Sequence, residues 1–182
     1  MKIVNDDYLR KIKENGKYKD TSNDSLSFSS LEDLEKLEEY DKLKSTVLKY
    51  VIFKKRTEYE VRQKFQDTID SETLDSIITT LKENNYIDDT IYIKKAINEF
   101  IALRNLSCYE ISNKLYAKGI KRDLIDDYMS QNRDEMREYE LQSCKNIILK
   151  KVSSKSEEEL INFLYKKGYK SDIIRQAIEE LK

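Results

Sequence analysis

Apolar residues recur at helical spacing along most of the chain. One set is Val47, Leu48, Val51 and Ile52, a second Ile93, Ile97, Phe100 and Ile101, and a third Leu141, Cys144, Ile148 and Val152. Each predicts one face of a long helix. A shorter apolar helix follows each, and then another carrying Leu74, Ile77, Ile78 and Leu81, or Leu124, Ile125, Tyr128 and Met129, or Ile173, Ile174, Ala177, Ile178 and Leu181. With no proline and only three glycines, Gly16, Gly119 and Gly168, little interrupts helix, and an all-α fold follows. The exception is the stretch from Asn15 to Ser29, polar and rich in Ser, Asn and Asp, which reads as a loop or disordered arm. Beyond it, Ser30-Leu31-Glu32-Asp33 opens a short helix whose Leu31, Leu34 and Leu37 are spaced to dock on what comes next.

Comparison of the chain with itself finds a repeat. Thr57 to Phe65 aligns with Ser107 to Leu115 and with Ser156 to Leu164, at offsets of 50 and 49 residues. Each copy opens on Ser or Thr and has Glu three positions later, at Glu60, Glu110 or Glu159. That is a capping box: the hydroxyl accepts from an otherwise unpaired N–H, and the Glu reaches back to the N–H of the cap. Leu115-Tyr116-Ala117-Lys118-Gly119-Ile120 further matches Leu164-Tyr165-Lys166-Lys167-Gly168-Tyr169, which places two glycines as C′ residues. The expected architecture is an elongated tandem array of three three-helix modules, 42–89, 90–133 and 134–182, behind an acidic N-terminal arm, 1–41. A module of that size buries little on its own, so neighbours are expected to stabilise one another.

Composition then removes whole classes of chemistry. The 182 residues include no histidine, so the usual metal sites and nucleophile triads lose their ligand or base. Three scattered glycines build no phosphate-binding loop. Cys108 and Cys144 form no CxxC and are expected to be reduced core residues of a cytoplasmic protein. Asp88-Asp89 and Asp126-Asp127 suggest an ion only superficially, since Asp89 precedes a helix and is explained as its N-cap. No catalytic residue, metal or cofactor is expected, and no apolar run suggests a signal peptide or membrane span.

Lys and Arg number 34 against 35 Asp and Glu, a net charge of −1, so generic attraction to DNA is not expected to dominate. The distribution is uneven: net −4 over 1–41, zero over 42–89, +3 over 90–133 and zero over 134–182. Basic groups cluster near the boxes. Lys54, Lys55, Arg56, Arg62 and Lys64 mark the first module, and Lys94, Lys95, Arg104, Lys114 and Lys118 the second, with Tyr59, Tyr109, Tyr116 and Tyr165 interleaved. Lys150, Lys151, Lys166 and Lys167 occupy comparable places in the third. Repeated along an array, such a patch suits a repeating partner, a nucleic-acid backbone or a protein filament, while a solvated mixed-charge surface accounts for the charges equally well.

Residues 46–182 resemble the RecX family, bacterial regulators of the RecA recombinase. The likeness rests on Leu48-Lys49-Tyr50 through Lys55-Arg56-Thr57-Glu58-Tyr59-Glu60-Val61, on the junction Asn85-Tyr86-Ile87-Asp88-Asp89-Thr90, and on Arg104 followed by Leu115 to Ile120. Asn85 stands where the family has glycine, and Ser107-Cys108 where many members have Gly-Pro. The resemblance implies a monomeric, cytoplasmic, non-enzymatic protein of DNA recombination, repair and the SOS response. Its partner would be the RecA filament, with single-stranded DNA as a further contact and no membrane. Binding would inhibit strand exchange and ATP hydrolysis, the ten basic residues of modules one and two meeting acidic partner surface or phosphate. Arg56→Glu with Arg62→Glu is then expected to weaken inhibition and leave helical content unchanged. The competing readings are a direct DNA-binding helical-repeat protein and an adaptor for an unrelated partner.

Overall fold

Five helices begin where a Thr, Ser or Asp side chain, at Thr57, Asp70, Asp88, Ser107 or Ser156, accepts from a free N–H of the first turn. The computed structural model, which describes residues 31–182 and side chains from Leu34 on, has nine helices and no strand among the described residues. They are α1 (Leu31–Phe53), α2 (Glu58–Phe65), α3 (Ser71–Glu83), α4 (Asp89–Leu103), α5 (Cys108–Tyr116), α6 (Arg122–Gln131), α7 (Arg133–Lys151), α8 (Glu157–Lys166) and α9 (Ser171–Glu179). The arm expected over 15–29 and the side chain of Leu31 lie outside the described residues. Residues 39–182 form one compact unit.

The helices work in threes because three separate apolar clusters hold them. Val47, Val51, Val61, Phe65, Leu74, Ile77, Ile78 and Leu81 join α1, α2 and α3, with Ile69 and Ile87 from the turns. Ile93, Ile97, Ile111, Leu115, Ile120 and Ile125 join α4, α5 and α6, and Met136 adds the start of α7. Cys144, Ile147, Ile148, Leu160, Leu164, Ile173, Ile174 and Ala177 join α7, α8 and α9. Tyr169 occupies the place that Ile120 holds in the group before, and a ring there brings a hydroxyl that must be satisfied. Ser143 meets that need at 2.7 Å.

All three capping boxes are present, with the hydroxyls of Thr57, Ser107 and Ser156 accepting from the N–H of Glu60, Glu110 and Glu159. The turns behave as their residues dictate. Gly119 and Gly168 take φ of 76° and 85°, and the N–H of Ile120 and of Tyr169 returns to the carbonyl five residues back. Asn85 does the work of a glycine at φ 57°, a conformation that asparagine tolerates better than other side chains.

Several sequence expectations change. The short helix after residue 30 is the start of α1, which runs for 23 residues, and Leu34 and Leu37 are 41% and 43% exposed. Ile52, Val152 and Leu181, assigned to apolar faces by spacing, are exposed, because each lies at the end of its helix where the core has closed. Asp88, not Asp89, caps α4, accepting from the N–H of Thr90 and Ile91. Asp89 is the first helical residue and turns its carboxylate elsewhere.

Candidate functional site

The boxes do more than start helices. The Thr57 hydroxyl, having accepted from Glu60, donates its own proton to the carbonyl of Lys118 at 2.7 Å. The Lys118 ammonium returns to the Glu60 carboxylate at 2.8 Å, and Gly119 lies against the Tyr59 ring. Fifty residues on, the same joint is built again: the Ser107 hydroxyl donates to the carbonyl of Lys167 at 2.5 Å, the Lys167 ammonium donates to Glu110 at 2.6 Å, and Gly168 lies against Tyr109. Glycine is required at both turns, for positive φ and because an added Cβ would sit within 2.6 Å of Tyr59 Cδ1 or 2.5 Å of Tyr109 Cδ1.

A carboxylate from the next long helix completes each joint. The N–H of Glu58, first in α2, donates to Asp89 at 3.1 Å, and the N–H of Cys108, first in α5, donates to Glu140 at 2.8 Å. A negative group at a helix N-terminus is favoured by its free N–H groups and dipole. Burial nonetheless raises both carboxyls above their ordinary range, and the N–H bonds only partly offset it. The second joint has a further tether: Tyr139 accepts from the N–H of Leu106 and donates to the carbonyl of Arg104, while Ser143 donates to the carbonyl of Leu106.

These joints engage part of the basic set. Lys118 is held to Glu60, and that bond raises its pKa. Arg62 bonds Glu58 and Asp75, and Arg56 lies 4.7 Å from the Tyr50 ring centroid with Glu60 3.9 Å away. The Glu58 carboxyl is buried enough to be pushed up, but its bonds to Lys82 and Arg62 bring it below its ordinary value. Lys54, Lys55, Lys64, Lys94, Lys95 and Arg104 are exposed and Lys114 half-buried, none of them in an ion pair among the described residues. The ten residues thus fall into two sets, three that brace the fold and seven that face solvent or its edge.

The tyrosines divide similarly. Tyr59 and Tyr109 cover glycines, and Tyr116 lies under the Arg122 guanidinium at 4.8 Å. Burial pushes the thiols of Cys108 and Cys144 up to about 12, leaving both unreactive at neutral pH. Asp126 and Asp127 are exposed, and no described helix is long and apolar enough to cross a membrane.

Sequence reasoning read Asp89 only as a helix cap, and missed Glu140 and the pairing of Tyr59 with Gly119. A signal for the latter was present: tyrosine follows the cap by two in boxes one and two, where Glu158 stands in box three, and the turn glycine occurs in groups two and three only. Each tyrosine has its glycine one group later.

No protein-family model matches the chain. It is 33% identical over 164 residues to the regulatory protein RecX of Lactococcus lactis subsp. lactis, covering 82% of this chain and 59% of that protein. It is 29% identical over 160 residues to that of Staphylococcus haemolyticus, covering 86% and 60%, and 32% identical over 140 residues to that of Finegoldia magna, covering 71% and 66%. The chain therefore spans about three fifths of the first two relatives, 59% and 60% of their length. Its fold is shared with a crystal structure of regulatory protein RecX at a TM-score of 0.72 and 21% identity, covering 87% of this chain and 82% of that one. It is shared also with RecX from Lactobacillus salivarius at 0.68 and 22%, covering 80% and 97%. A helical fold shared with two RecX crystal structures, and identity near 30% over most of the chain, lead to one conclusion: the chain belongs to the RecX family of regulatory proteins.

Proposed function

We propose that the protein is a non-enzymatic, cytoplasmic regulator that lies along the RecA filament on single-stranded DNA and restrains strand exchange and ATP hydrolysis. The observation that carries the reading is the repeated joint, Thr57 with Lys118 and Ser107 with Lys167, which supports treating 42–89, 90–133 and 134–182 as three modules in fixed sequence. Modules joined alike present like surfaces in a row, and a row of weak contacts gains avidity on a partner that also repeats.

Within this reading Lys54, Lys55, Lys64, Lys94, Lys95, Arg104 and Lys114 meet acidic partner surface or phosphate, and Arg56, Arg62 and Lys118 act through the fold they brace. The acidic arm, 1–41, is assigned no contact. The decisive measurement is RecA ATPase on single-stranded DNA titrated with this chain. A dose-dependent fall in turnover is expected, and unchanged turnover at saturating chain overturns the proposal. Tight, steeply salt-dependent binding to bare DNA would favour the direct DNA-binding alternative instead.

A further inference from the structure

Three apolar side chains stand in solvent at one station of the repeat. Phe53, the last residue of α1, is 89% exposed, Leu103, the last of α4, 78%, and Val152, the C-cap of α7, 58%. They are 50 and 49 residues apart, the spacing of the boxes themselves. A single exposed apolar residue is ordinary on any protein. Recurrence at a fixed station is not: all three stand at the end of a long helix, past the point where its core has closed, and none belongs to a core cluster.

Cations border each station. Lys54 and Lys55 follow Phe53, and Arg104 follows Leu103, all exposed. Near Val152, the ammonium of Lys151 lies 4.9 Å and that of Lys155 6.0 Å from the Phe163 ring centroid. None of these five cations is in an ion pair among the described residues. At Phe53 and Leu103 an apolar tip bordered by exposed cations complements an apolar pocket rimmed by carboxylates, while at Val152 the cations lie over Phe163 and Glu157 lines the same groove.

We infer that Phe53, Leu103 and Val152 are anchors, each entering an apolar, acid-rimmed pocket on one subunit of a repeating protein partner. The inference rests on the filament-binding reading above and names the side chains that make the contact. A protein is the occupant rather than a nucleic acid because Leu103 and Val152 offer no ring on which a base stacks. A second copy of this chain is disfavoured because pairing these stations would set Lys54 and Lys55 against like charge.

The test uses the full chain with Phe53→Ser, Leu103→Ser and both together, cosedimented with RecA filaments on single-stranded DNA. Each single change is expected to weaken binding about tenfold and the pair to weaken it further, with melting unchanged because the side chains are exposed. If the wild type binds and the double variant binds equally well, the inference falls and the proposed function stands. If the wild type itself does not bind, the proposed function falls and the inference with it. Two controls decide the occupant. Weaker binding of the double variant to a bare single-stranded oligonucleotide, or a wild-type dimer that the double variant abolishes, overturns the inference.

Discussion

Gly119 lies against the ring of Tyr59 across the first joint, with no space left for a Cβ and with φ at 76°. Gly119→Ala therefore meets two penalties, the left-handed backbone and the ring, and is expected to cost about 2 kcal/mol or more. Urea unfolding of the wild type, Gly119→Ala, Tyr59→Ala and the double variant separates them. Removing the ring should return the steric part and leave about 1–2 kcal/mol of backbone strain. Strictly additive losses would show that Tyr59 and Gly119 do not touch.

The cap hydroxyls offer an internal control. Thr57 and Ser107 accept one hydrogen bond within their own helix and donate another to the next group, whereas the Ser156 hydroxyl donates only to Glu159 of its own box, over a long 3.4 Å. Ser156→Ala should cost about 1 kcal/mol, the worth of a cap. Thr57→Ala and Ser107→Ala should each cost about 1 kcal/mol beyond that, because the shorter bond to a carbonyl of the next group is lost as well. Equal shifts in the denaturation midpoint for all three would remove the joint from the account of stability.

Much of this fold is legible in the sequence. The boxes and their apolar faces are short-range features, so Thr57 and Glu60 or Ser107 and Glu110 are seen together three residues apart. The joint is long-range: Thr57 and Lys118 are 61 residues apart, and nothing in local spacing says that a lysine carbonyl waits for a threonine proton. The candidate surface is harder to read, because charge is counted in sequence but neutralised in space. Arg62 and Lys64 look alike on the page, yet Arg62 is spent on Glu58 and Asp75 while Lys64 is exposed. Ile52 and Val152 show the opposite error, since periodicity assigns apolar residues to cores and does not register that the helix has run past its core, while Phe53 and Leu103 fall outside that spacing and received no reading.

Glu140 supplies a pH test. Burial holds its carboxyl above the ordinary 4.5, with the Cys108 N–H and the Lys170 charge opposing and Asp172 adding to the rise. The folded chain thus binds that proton more tightly than the unfolded chain. Stability is lost from this group as pH rises through 4.5 to the folded value, and the loss is complete above it. Glu140→Gln keeps an oxygen to accept from Cys108 without a charge, so at pH 7 its melting temperature should equal or exceed that of the wild type. The advantage should shrink as pH falls toward 4.5, the ordinary carboxyl value. Calorimetry across this range checks it, and a variant less stable by the same amount at every pH would contradict it.

The ion pairs also revise which charge reversals test partner binding. Arg62→Glu sets a third carboxylate beside Glu58 and Asp75, so the chain should lose stability rather than keep its helical content, and weaker RecA inhibition would then report on folding. Lys55 and Arg104 are exposed and in no ion pair among the described residues, so Lys55→Glu with Arg104→Glu should change stability by no more than about 0.5 kcal/mol per site. If these cations face acidic partner surface, each reversal replaces attraction with repulsion, and the pair should weaken RecA ATPase inhibition about tenfold or more, most strongly at low salt. Inhibition by the double variant that matches the wild type at low salt, with helical content and melting also unchanged, would take Lys55 and Arg104 out of the contact and leave the apolar stations to account for binding.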